Sequence, residues 1–568
     1  MIICDYIDRR VKSYIKKKSG RVILTFFKEP FDQYDDSNVF FIDDILNESD
    51  YKKIDEFVGR TIKIAEEVFS KYLKVNGYNL FDYLKVQAKR DFSKIYKYKY
   101  AVDKFSKEQM KNNIVFFSSE FDLLEWLKQD YIIAKLPYNA FHQSKARFVR
   151  IKLKIKAWVR NSHLVHYIVG QLFDDHRNMS NYILWLGGRS LHSKLMDELQ
   201  KEFKLLLFQN QLIVYTRSFA RKRIKYGLLK LKDGRKSREE WNSIEQQYAK
   251  GLNRTASLMR LKPELLEIVL KISRNNMKEL LTTLLILQEN DHNSRLLFVS
   301  QSIKGVAALA ADYFSRNSLP SIEMLHGVPG VAEVGKTTKV AVFGQRDKSF
   351  LKSQGVDESK LVITGCPYYD KFFDIEEQNK SFDFLLLILD WIGFERSASS
   401  QRVIFTEVMH MLKLLQHLKH EQLVVKLHPS QREKELEYVQ HLVDIAGIHT
   451  RVKVMKNADT IDLLKKAKIV FTHASSVGLE ALLMKKPLIV LPRLLKSTVN
   501  YGEYNGCFVP ENRKELLYST EEILRDVHGY LSNNKENIER TIKYFSRDVT
   551  GQSYKRVANL CREMYPAH

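Results

Sequence analysis

Two short motifs in the C-terminal half place polar side chains where predicted strands end. The first, "VVKLHPS", puts His428 and Pro429 at the carboxyl end of a predicted strand. Pro429 stops the strand and stiffens the turn, so the imidazole projects from a rigid base. A histidine there can donate a hydrogen bond to a phosphate oxygen, and a protonated one stabilises a leaving phosphate. The motif therefore predicts that His428 binds phosphate, and a structural histidine is the alternative.

The second motif, "FTHASSVGLEALLMKKPLIVLP", closes a strand and opens a helix at Ser475 and Ser476. We expect hydroxyls and free backbone N–H groups to meet there, where the helix dipole favours an anion. Gly478 is expected to keep the first turn open to a ligand, and Glu480, one turn after Ser476, to accept ribose hydroxyls. The alternative is simple N-capping by Ser476, although the spacing of a capping box is not met.

These motifs belong to a regular alternation of strands and helices. Short connections between the elements predict a doubly wound parallel sheet, whose ligands bind outside the carboxyl ends of the strands. His428, the serine pair and Glu480 are therefore expected at one edge. The predicted strands span residues 382–389, 422–429, 450–455, 468–474 and 487–492.

A less regular α/β pattern precedes this one, over residues 181–365. Within it, residues 215–290 are predicted to be helical and are very basic, while residues 1–175 hold a few strands among long helical segments. We predict an α/β fold with two Rossmann-like domains that face a cleft, and helical N-terminal additions. The predicted domains are residues 1–370 and 371–568.

One segment offers a different function. Gly330–Thr337 matches G-x-x-x-x-G-K-[ST], the phosphate loop of P-loop NTPases, and "LLLILD" ending at Asp390 resembles a Walker B strand. A working loop needs a helix directly after Lys336 and Thr337, because the helix N-terminus completes the anion site. The β-branched run that follows predicts a strand instead. We expect a chance match, and a P-loop NTPase remains the alternative.

The net charge and the cysteine spacing indicate the class of partner and the redox compartment. The 92 Lys and Arg residues exceed the 68 Asp and Glu residues by 24, which favours anionic partners: phosphate-bearing substrates, an anionic membrane or nucleic acid. No recognised nucleic-acid module occurs, although a non-catalytic basic membrane- or nucleic-acid-binding protein is a further alternative. The four cysteines lack paired spacing, which predicts a reducing compartment without disulfides or a zinc site.

The localisation prediction is cytoplasmic. The apolar N-terminal run breaks at Asp5, so no signal-peptide core follows, and no apolar stretch approaches the ~20 residues of a membrane span. Residues 145–160 and 216–236 mix cationic and apolar side chains. Either segment is suited to a peripheral contact with an anionic membrane on its inner face, or is a solvated face of the core.

The "K-x-H-P" and "S-S-x-x-x-E-A" pair resembles the C-terminal domain of GT-B-fold glycosyltransferases of bacterial surface polysaccharides, in capsules and lipopolysaccharide. The similar groups are polysialyltransferase-like, Kdo-transferase-like and CDP-glycerol glycerophosphotransferase-like proteins. The resemblance covers about residues 295–495, with Ile363 where the upstream "V-T-G-x-P-x-Y-D" pattern has valine. It implies a cleft loop at His326 and Gly327. It also implies a donor site formed by Lys426, His428, Pro429, Ser475, Ser476, Gly478 and Glu480.

The resemblance implies a metal-independent glycosyltransferase without a cofactor. Its donor would be a CMP- or CDP-linked sugar or sugar-like group, with a UDP-sugar next, and its acceptor a surface polysaccharide or lipid-linked glycan. The donor would bind the C-terminal domain and the acceptor the N-terminal domain, and nucleotide-sugar epimerisation is a minor alternative. The acidic pair followed by glycine that supplies the polysialyltransferase base has no clear counterpart here. We expect His428 in catalysis, with Glu333 and the Asp174–Asp175 pair as candidate bases or, alternatively, surface acids.

Overall fold

Three parallel β-sheets, each with helices in its connections, form the described part of the protein in a computed structural model. The described residues are 1–4, 11, 13–14, 22–25, 39–109, 113–117, 121–128, 130–135, 182–186, 189–208, 227–229, 234–270, 274–290, 294–300, 304–325, 334–373, 382–389, 399–429, 431, 433–473, 475–491, 500–547 and 550–566.

The first sheet is built from short apolar strands near the N-terminus. Its order is β3-β2-β1-β6-β7, with all neighbours parallel, and Ile2, Ile23 and Val115 are buried in one cluster. A separate hairpin joins β4 and β5. The elements are β1 Ile2–Cys4, β2 Ile23–Thr25, β3 Val39–Phe41, α1 Ile42–Ile45, α2 Glu48–Tyr72, β4 Lys74–Val75, β5 Tyr78–Asn79, α3 Lys85–Gln109, β6 Asn113–Phe117, α4 Phe121–Leu127 and β7 Ile132–Lys135.

The second sheet has seven parallel strands in the order β10-β9-β8-β11-β12-β13-β14. Its centre is buried and aromatic, since the rings of Trp185 and Phe298 are inaccessible to solvent and stack with centroids 4.1 Å apart. The elements are β8 Tyr182–Leu186, α5 Arg189–Leu199, β9 Lys204–Phe208, β10 Gly227–Leu229, α6 Gly234–Leu258, α7 Pro263–Leu270, α8 Arg274–Glu289, β11 Ser294–Ser300, α9 Gly305–Arg316, β12 Ser321–Met324, β13 Lys339–Val342, α10 Gln345–Ser353 and β14 Leu361–Ile363.

The third sheet follows the order β17-β16-β15-β18-β19, again all parallel. Runs such as "FLLLI" have side chains buried on both faces, as a parallel strand between helices requires. The elements are β15 Phe384–Ile388, α11 Ser399–His417, β16 Leu423–Lys426, α12 Glu433–Ile445, β17 Val452–Met455, α13 Thr460–Lys466, β18 Ala467–Thr472, α14 Val477–Leu483, β19 Leu488–Val490, α15 Arg513–Arg525, α16 Val527–Asn533, α17 Lys535–Ser546 and α18 Ser553–Met564.

The α/β class, the doubly wound sheets and the few strands predicted among helical segments in residues 1–175 are confirmed, although the pairing of those strands into a sheet of their own was not predicted. Strands β1, β2 and β3 have three residues each, too few for a clear alternation of apolar and polar side chains. The prediction that residues 215–290 are helical is wrong at strand β10, which pairs with β9 at the edge of the second sheet.

The chain divides into two compact units. Unit 1 contains Met1–Val58, Arg90–Leu136 and Phe372–Phe545, which hold the first and third sheets. Unit 2 contains the second sheet and comprises Gly59–Lys89, Pro137–Lys371 and Ser546–His568. The predicted domain limits and the cleft between domains stay predictions.

Helix α18 is fixed within unit 2 by polar contacts at both of its ends. Asp370 accepts hydrogen bonds from the backbone nitrogens of Ser553 and Tyr554, at 3.1 and 2.9 Å. Gly365 has φ +79°, and a Cβ there would lie 2.3 Å from the Ser553 hydroxyl, so the close approach needs glycine. Near the other end, Arg562 donates to Glu202 on the chain that follows α5, at 2.6 Å.

The described residues bear on two further features of the chain, membrane-spanning helices and disulfide bonds. None of their helices is long and apolar enough to cross a membrane. All four cysteines lie in this part of the chain, and they are buried and form no disulfide bond.

Candidate functional site

The strand order of the third sheet fixes where its ligand edge lies. The order reverses between β15 and β18, and ligands of such sheets bind outside the carboxyl ends of the strands at that reversal. Ile388 of β15 pairs with Lys426 of β16 on one side and with Thr472 of β18 on the other. The residues that follow β16 and β18 therefore start at the same level, as the sequence motifs predict.

Lys426 is the buried cation of this edge. Its residue is only 4% exposed, and its Nζ makes one long hydrogen bond, 3.4 Å to the carbonyl oxygen of Leu427. Burial lowers the pKa of the Lys426 ammonium, and the carboxylates of Glu480 and Asp459 act in the opposite direction. Among the described residues, Lys426 forms no direct ion pair with a carboxylate. An anion at this position would stabilise its charge.

His428 follows two residues after Lys426, and its side chain is partly exposed. Its backbone nitrogen donates a hydrogen bond of 2.6 Å to Oε1 of Gln431, and its carbonyl oxygen accepts one of 3.0 Å from the Gln431 nitrogen. Pro429 is exposed in the turn between them. The strand ends at Lys426, and the turn presents His428 at the carboxyl edge, as predicted.

The serine pair lies at the start of α14, and Ser476 does not act as a conventional cap. Ser476 precedes the helix with φ −57° and ψ −21°, and its hydroxyl makes no capping hydrogen bond. Instead the Ser475 hydroxyl accepts from the nitrogen of Val477, at 3.3 Å. The alternative of N-capping by Ser476 is therefore wrong, and its hydroxyl is not used by the described helix.

The expectation of free N–H groups in the first turn is also wrong. Besides Val477, the nitrogens of Gly478 and Leu479 donate to the carbonyl oxygens of Ser475 and Ser476, at 3.0 and 3.1 Å. The helix has only seven residues, which limits its dipole. Binding at this point would therefore depend on side chains and not on the helix N-terminus.

Gly478 has a different structural role from the one predicted. A Cβ at this position would lie 2.6 Å from Cε2 of Tyr501, so the space that we assigned to a ligand is filled by that ring. The Tyr501 hydroxyl donates 2.8 Å to the carbonyl oxygen of Ser475. Sequence analysis missed Tyr501, because 26 residues separate it from its partner.

Two acidic residues, Glu480 and Asp459, act electrostatically on Lys426 at this edge. Glu480 is 4% exposed on α14, and its carboxylate is one of the two groups that favour the charged form of Lys426. Asp459, the other, caps α13 by accepting from the nitrogens of Ile461 and Asp462. The structure thus brings Lys426 and Glu480 into electrostatic contact, while a ribose partner for Glu480 stays a prediction.

A buried histidine and glutamate were also missed by sequence analysis. His473 follows β18 directly, and its Nδ1 lies 4.0 Å from Oε1 of Glu407 on α11. Both side chains are less than one-tenth exposed. His473 is visible in the "FTHASS" motif, but its partner comes from a helix 66 positions earlier in the chain, which local spacing cannot reveal.

Several predicted site residues lie outside the described part of the chain. These are Asp174, Asp175, His326, Gly327 and Glu333. The catalytic base and the cleft loop therefore stay predictions. Within the described ranges, no group of three or more His, Cys, Asp or Glu side chains could hold a metal ion.

The described end of Gly330–Thr337 does not have the structure of a phosphate loop. Lys336 donates to Asp312 at 2.8 Å, and the nitrogen of Gly335 donates to the Glu323 carboxylate at 2.8 Å. Strand β13, and no helix, follows the lysine and threonine. The N–H of Gly335 and the ammonium of Lys336, which would have to bind a nucleotide phosphate, donate to carboxylates instead. The P-loop alternative is therefore wrong.

A family comparison covers the segment that forms this edge. Residues 396–494 match the family model of the capsule polysaccharide biosynthesis protein. The candidate site lies in a segment similar to that family. The resemblance to enzymes of bacterial surface polysaccharides is thus confirmed at this level, and the subfamily stays a prediction. Elements α11 to β19 all fall within the match.

Solved structures that resemble the chain have low sequence identity to it. A UDP-GlcNAc 2-epimerase from Neisseria meningitidis bound to UDP-GlcNAc is 12% identical, with a TM-score of 0.42 over 68% of this chain and 100% of that one. A glycosyltransferase from Rickettsia africae is 11% identical, with a TM-score of 0.43 and the same coverages. A UDP-GlcNAc 2-epimerase from Methanocaldococcus jannaschii is 13% identical, with a TM-score of 0.42 and again 68% and 100% covered. No curated protein matches the chain.

Proposed function

We propose that this protein is a glycosyltransferase of the GT-B type in surface polysaccharide biosynthesis. It transfers a sugar or sugar-like group from a nucleotide-activated donor, CMP- or CDP-linked, to a surface polysaccharide or lipid-linked glycan. The match over residues 396–494 supports the biosynthetic setting. The donor's phosphate binds at the carboxyl edge of the third sheet, between the residues that follow β16 and β18.

The observation that carries the proposal is the state of Lys426. A buried ammonium group without an ion pair costs free energy, and folded proteins compensate such charges with a partner. Lys426 is 4% exposed, yet its only hydrogen bond among described residues is 3.4 Å long. It also lies at the carboxyl end of β16, one strand away from the reversal between β15 and β18, at the edge where ligands of this fold bind. A donor phosphate would give this ammonium group a direct partner, which the described residues do not supply.

Catalysis follows from stabilising the leaving phosphate. The bond between the anomeric carbon and the donor phosphate oxygen breaks, and the acceptor hydroxyl oxygen forms the new bond to that carbon. The hydroxyl proton passes to a base, for which Glu333 and Asp174 are the candidates. The electron pair of the broken bond stays on the nucleotide phosphate, where Lys426 and His428 stabilise the negative charge. Ser475 and Ser476 donate hydroxyl hydrogen bonds to it.

The proposed reaction takes its positive charge from side chains, so donor binding does not require a metal. The acceptor binds the N-terminal domain. The excess of 24 positive charges suits an acceptor held at an anionic membrane, and the basic segments 145–160 and 216–236 would contact that membrane from the cytoplasmic side. Nucleic acid is not a proposed partner.

The test is a thermal-shift screen of the full chain with CMP, CDP, UMP, UDP, GDP, ADP and ATP, with and without magnesium. A nucleotide at 100 times its Kd adds about 2.7 kcal/mol of apparent stability. We expect a magnesium-independent shift with a pyrimidine nucleotide. Lys426→Met should weaken that binding about 10- to 100-fold, because a hydrogen bond to a charged group is lost.

Lys453→Met is the matched control, since Lys453 is an exposed lysine on the neighbouring strand β17. It should leave the nucleotide shift unchanged. A shift seen only with ATP and magnesium, and lost in Lys336→Ala, would contradict the proposal. So would a pyrimidine shift that Lys426→Met leaves intact.

A further inference from the structure

We propose that Gln431 is a positioning residue that fixes His428 at the ligand edge. The ligand that His428 then meets rests on the proposed function, whereas the fixation itself does not. Nothing in the sequence motif pointed to Gln431, which lies two residues beyond Pro429.

The geometry is a pair of hydrogen bonds between the same two residues. Oε1 of Gln431 accepts from the backbone nitrogen of His428 at 2.6 Å, and the backbone nitrogen of Gln431 donates to the His428 carbonyl oxygen at 3.0 Å. Both polar groups of the His428 backbone are therefore engaged by one residue. Gln431 is 5% exposed, so water competes little for these bonds.

The chemistry of the amide shows that its oxygen is what matters. Of the two ends of the Gln431 amide only the oxygen can accept from a backbone N–H, which sets the orientation of the amide. Its Nε2 is buried and has no hydrogen-bond partner among the described residues. Stability alone would favour an apolar side chain of the same length, because a buried amide N–H without an acceptor costs free energy. The oxygen held against His428 offsets that cost.

Two constraints then act on the histidine from its C-terminal side. Pro429 restricts the backbone directly after His428, and Gln431 closes the turn three residues on. The imidazole therefore leaves a backbone that is already fixed before ligand binds. Binding and catalytic groups gain most when their supporting contacts hold them in the productive geometry.

The first test is hydrogen–deuterium exchange of the full chain without ligand, read at the His428 amide. Gln431→Met keeps the length of the side chain and removes the acceptor. The amide should exchange about 2- to 12-fold faster, the range expected for one hydrogen bond. Gln431→Glu keeps an acceptor oxygen and should restore protection. If Gln431→Met does not fold, Gln431→Asn, one methylene shorter, should give the same acceleration. Unchanged exchange in the folded variant overturns the inference.

The second test is a double-mutant cycle on nucleotide affinity, with CMP and CDP as probes. Gln431→Met should weaken binding about 2- to 12-fold in the wild-type background and not at all in His428→Ala, because it acts through that residue. Losses that simply add would overturn the inference and leave the proposed function standing.

Gln440→Met is the matched control, a glutamine on α12 that is exposed. It should change neither the exchange at His428 nor nucleotide affinity. If the wild-type protein binds neither CMP nor CDP, the proposed donor is wrong. The exchange measurement still decides the role of Gln431, so the two failures are distinguishable.

Discussion

The hydroxyl of Tyr501 donates a hydrogen bond of 2.8 Å to the backbone carbonyl of Ser475, across a gap of 26 residues. The same ring fills the space beside Gly478, where a Cβ would approach it to 2.6 Å. One aromatic side chain therefore holds both the first serine of the motif and the first turn of α14. Its contacts hold the serine segment in place while the side chains of Ser475 and Ser476 stay partly exposed.

Tyr501→Phe should loosen the serine segment without creating a cavity. The variant loses one hydrogen bond and keeps the ring, so we expect a loss of about 0.5–1.5 kcal/mol in the free energy of unfolding. Nucleotide affinity should fall at the same time. Thermal unfolding with and without CMP measures both effects. Tyr518→Phe is the control, because Tyr518 is 65% exposed, and an equal response of the two variants would contradict the assignment.

Gly478→Ala should destabilise unit 1 by overpacking. The new methyl group meets the Tyr501 ring at 2.6 Å, and forced shifts of this kind cost about 1–3 kcal/mol. Combining it with Tyr501→Leu should give less than the sum of the two losses, since the clash disappears. Gly59→Ala is the opposite case, because nothing lies within 4 Å of its Cβ on α2, and it should stabilise by about 0.5–1 kcal/mol.

The hydrogen bonds of Asp312 predict which of two variants, Lys336→Ala or Asp312→Ala, destabilises the protein more. Asp312 accepts from Lys336 at 2.8 Å and from the buried Tyr83 hydroxyl at 2.7 Å. Lys336→Ala should cost about 0–1 kcal/mol, because the lysine side chain is 68% exposed. Asp312→Ala should cost about 1–3 kcal/mol, since the Tyr83 hydroxyl loses its acceptor. Neither should change the affinity for CMP or CDP, and a loss of binding in Lys336→Ala would contradict our interpretation of this segment.

The raised pKa of Asp347 predicts that the stability of unit 2 depends on pH. Burial raises the pKa of Asp347 from 3.8 to about 7, against the opposing effect of Arg346. Between these values the folded state binds more protons than the unfolded chain. The stability contributed by Asp347 is therefore complete below about pH 4 and falls as the pH rises to about 7, by at most about 1.4 kcal/mol per pH unit.

Asp347→Asn isolates this contribution, because asparagine does not titrate. Unfolding midpoints in urea at about pH 5, 6, 7 and 8 should fall less steeply with pH in the variant than in the wild-type protein. Parallel pH profiles would show that Asp347 does not titrate in this range.

The alternation of strands and helices in the third sheet was predictable from sequence. Most of its strands are compact apolar runs bounded by a turn, as with "FLLLI" of β15, whereas "VKVM" of β17 at the edge of the sheet includes the exposed Lys453. For the first sheet only the presence of a few strands in residues 1–175 was predicted, since Ile2–Cys4 and Ile23–Thr25 are too short to show a period. Their role is set by pairing with each other across the intervening chain.

The candidate site was predictable in its location and not in its contacts. His428 and Ser475 come to one edge because both follow parallel strands that flank β15. Their supporting contacts come from Gln431 and Tyr501 through side-chain geometry that motif spacing does not encode. The first-turn N–H groups were expected to be free, but the local turn uses them itself, as backbone donors in a folded interior must find acceptors.

The contacts of α18 set the order in which the protein can fold during synthesis. Asp370 and Glu202 belong to unit 2, yet their partners Ser553 and Arg562 are made after the whole of Phe372–Phe545, which belongs to unit 1. Domains generally fold as their chain emerges from the ribosome, from the N-terminus onward. Unit 2 starts earlier and finishes later than the long C-terminal segment of unit 1. The contacts of unit 2 with α18 can therefore form only after that segment has been made.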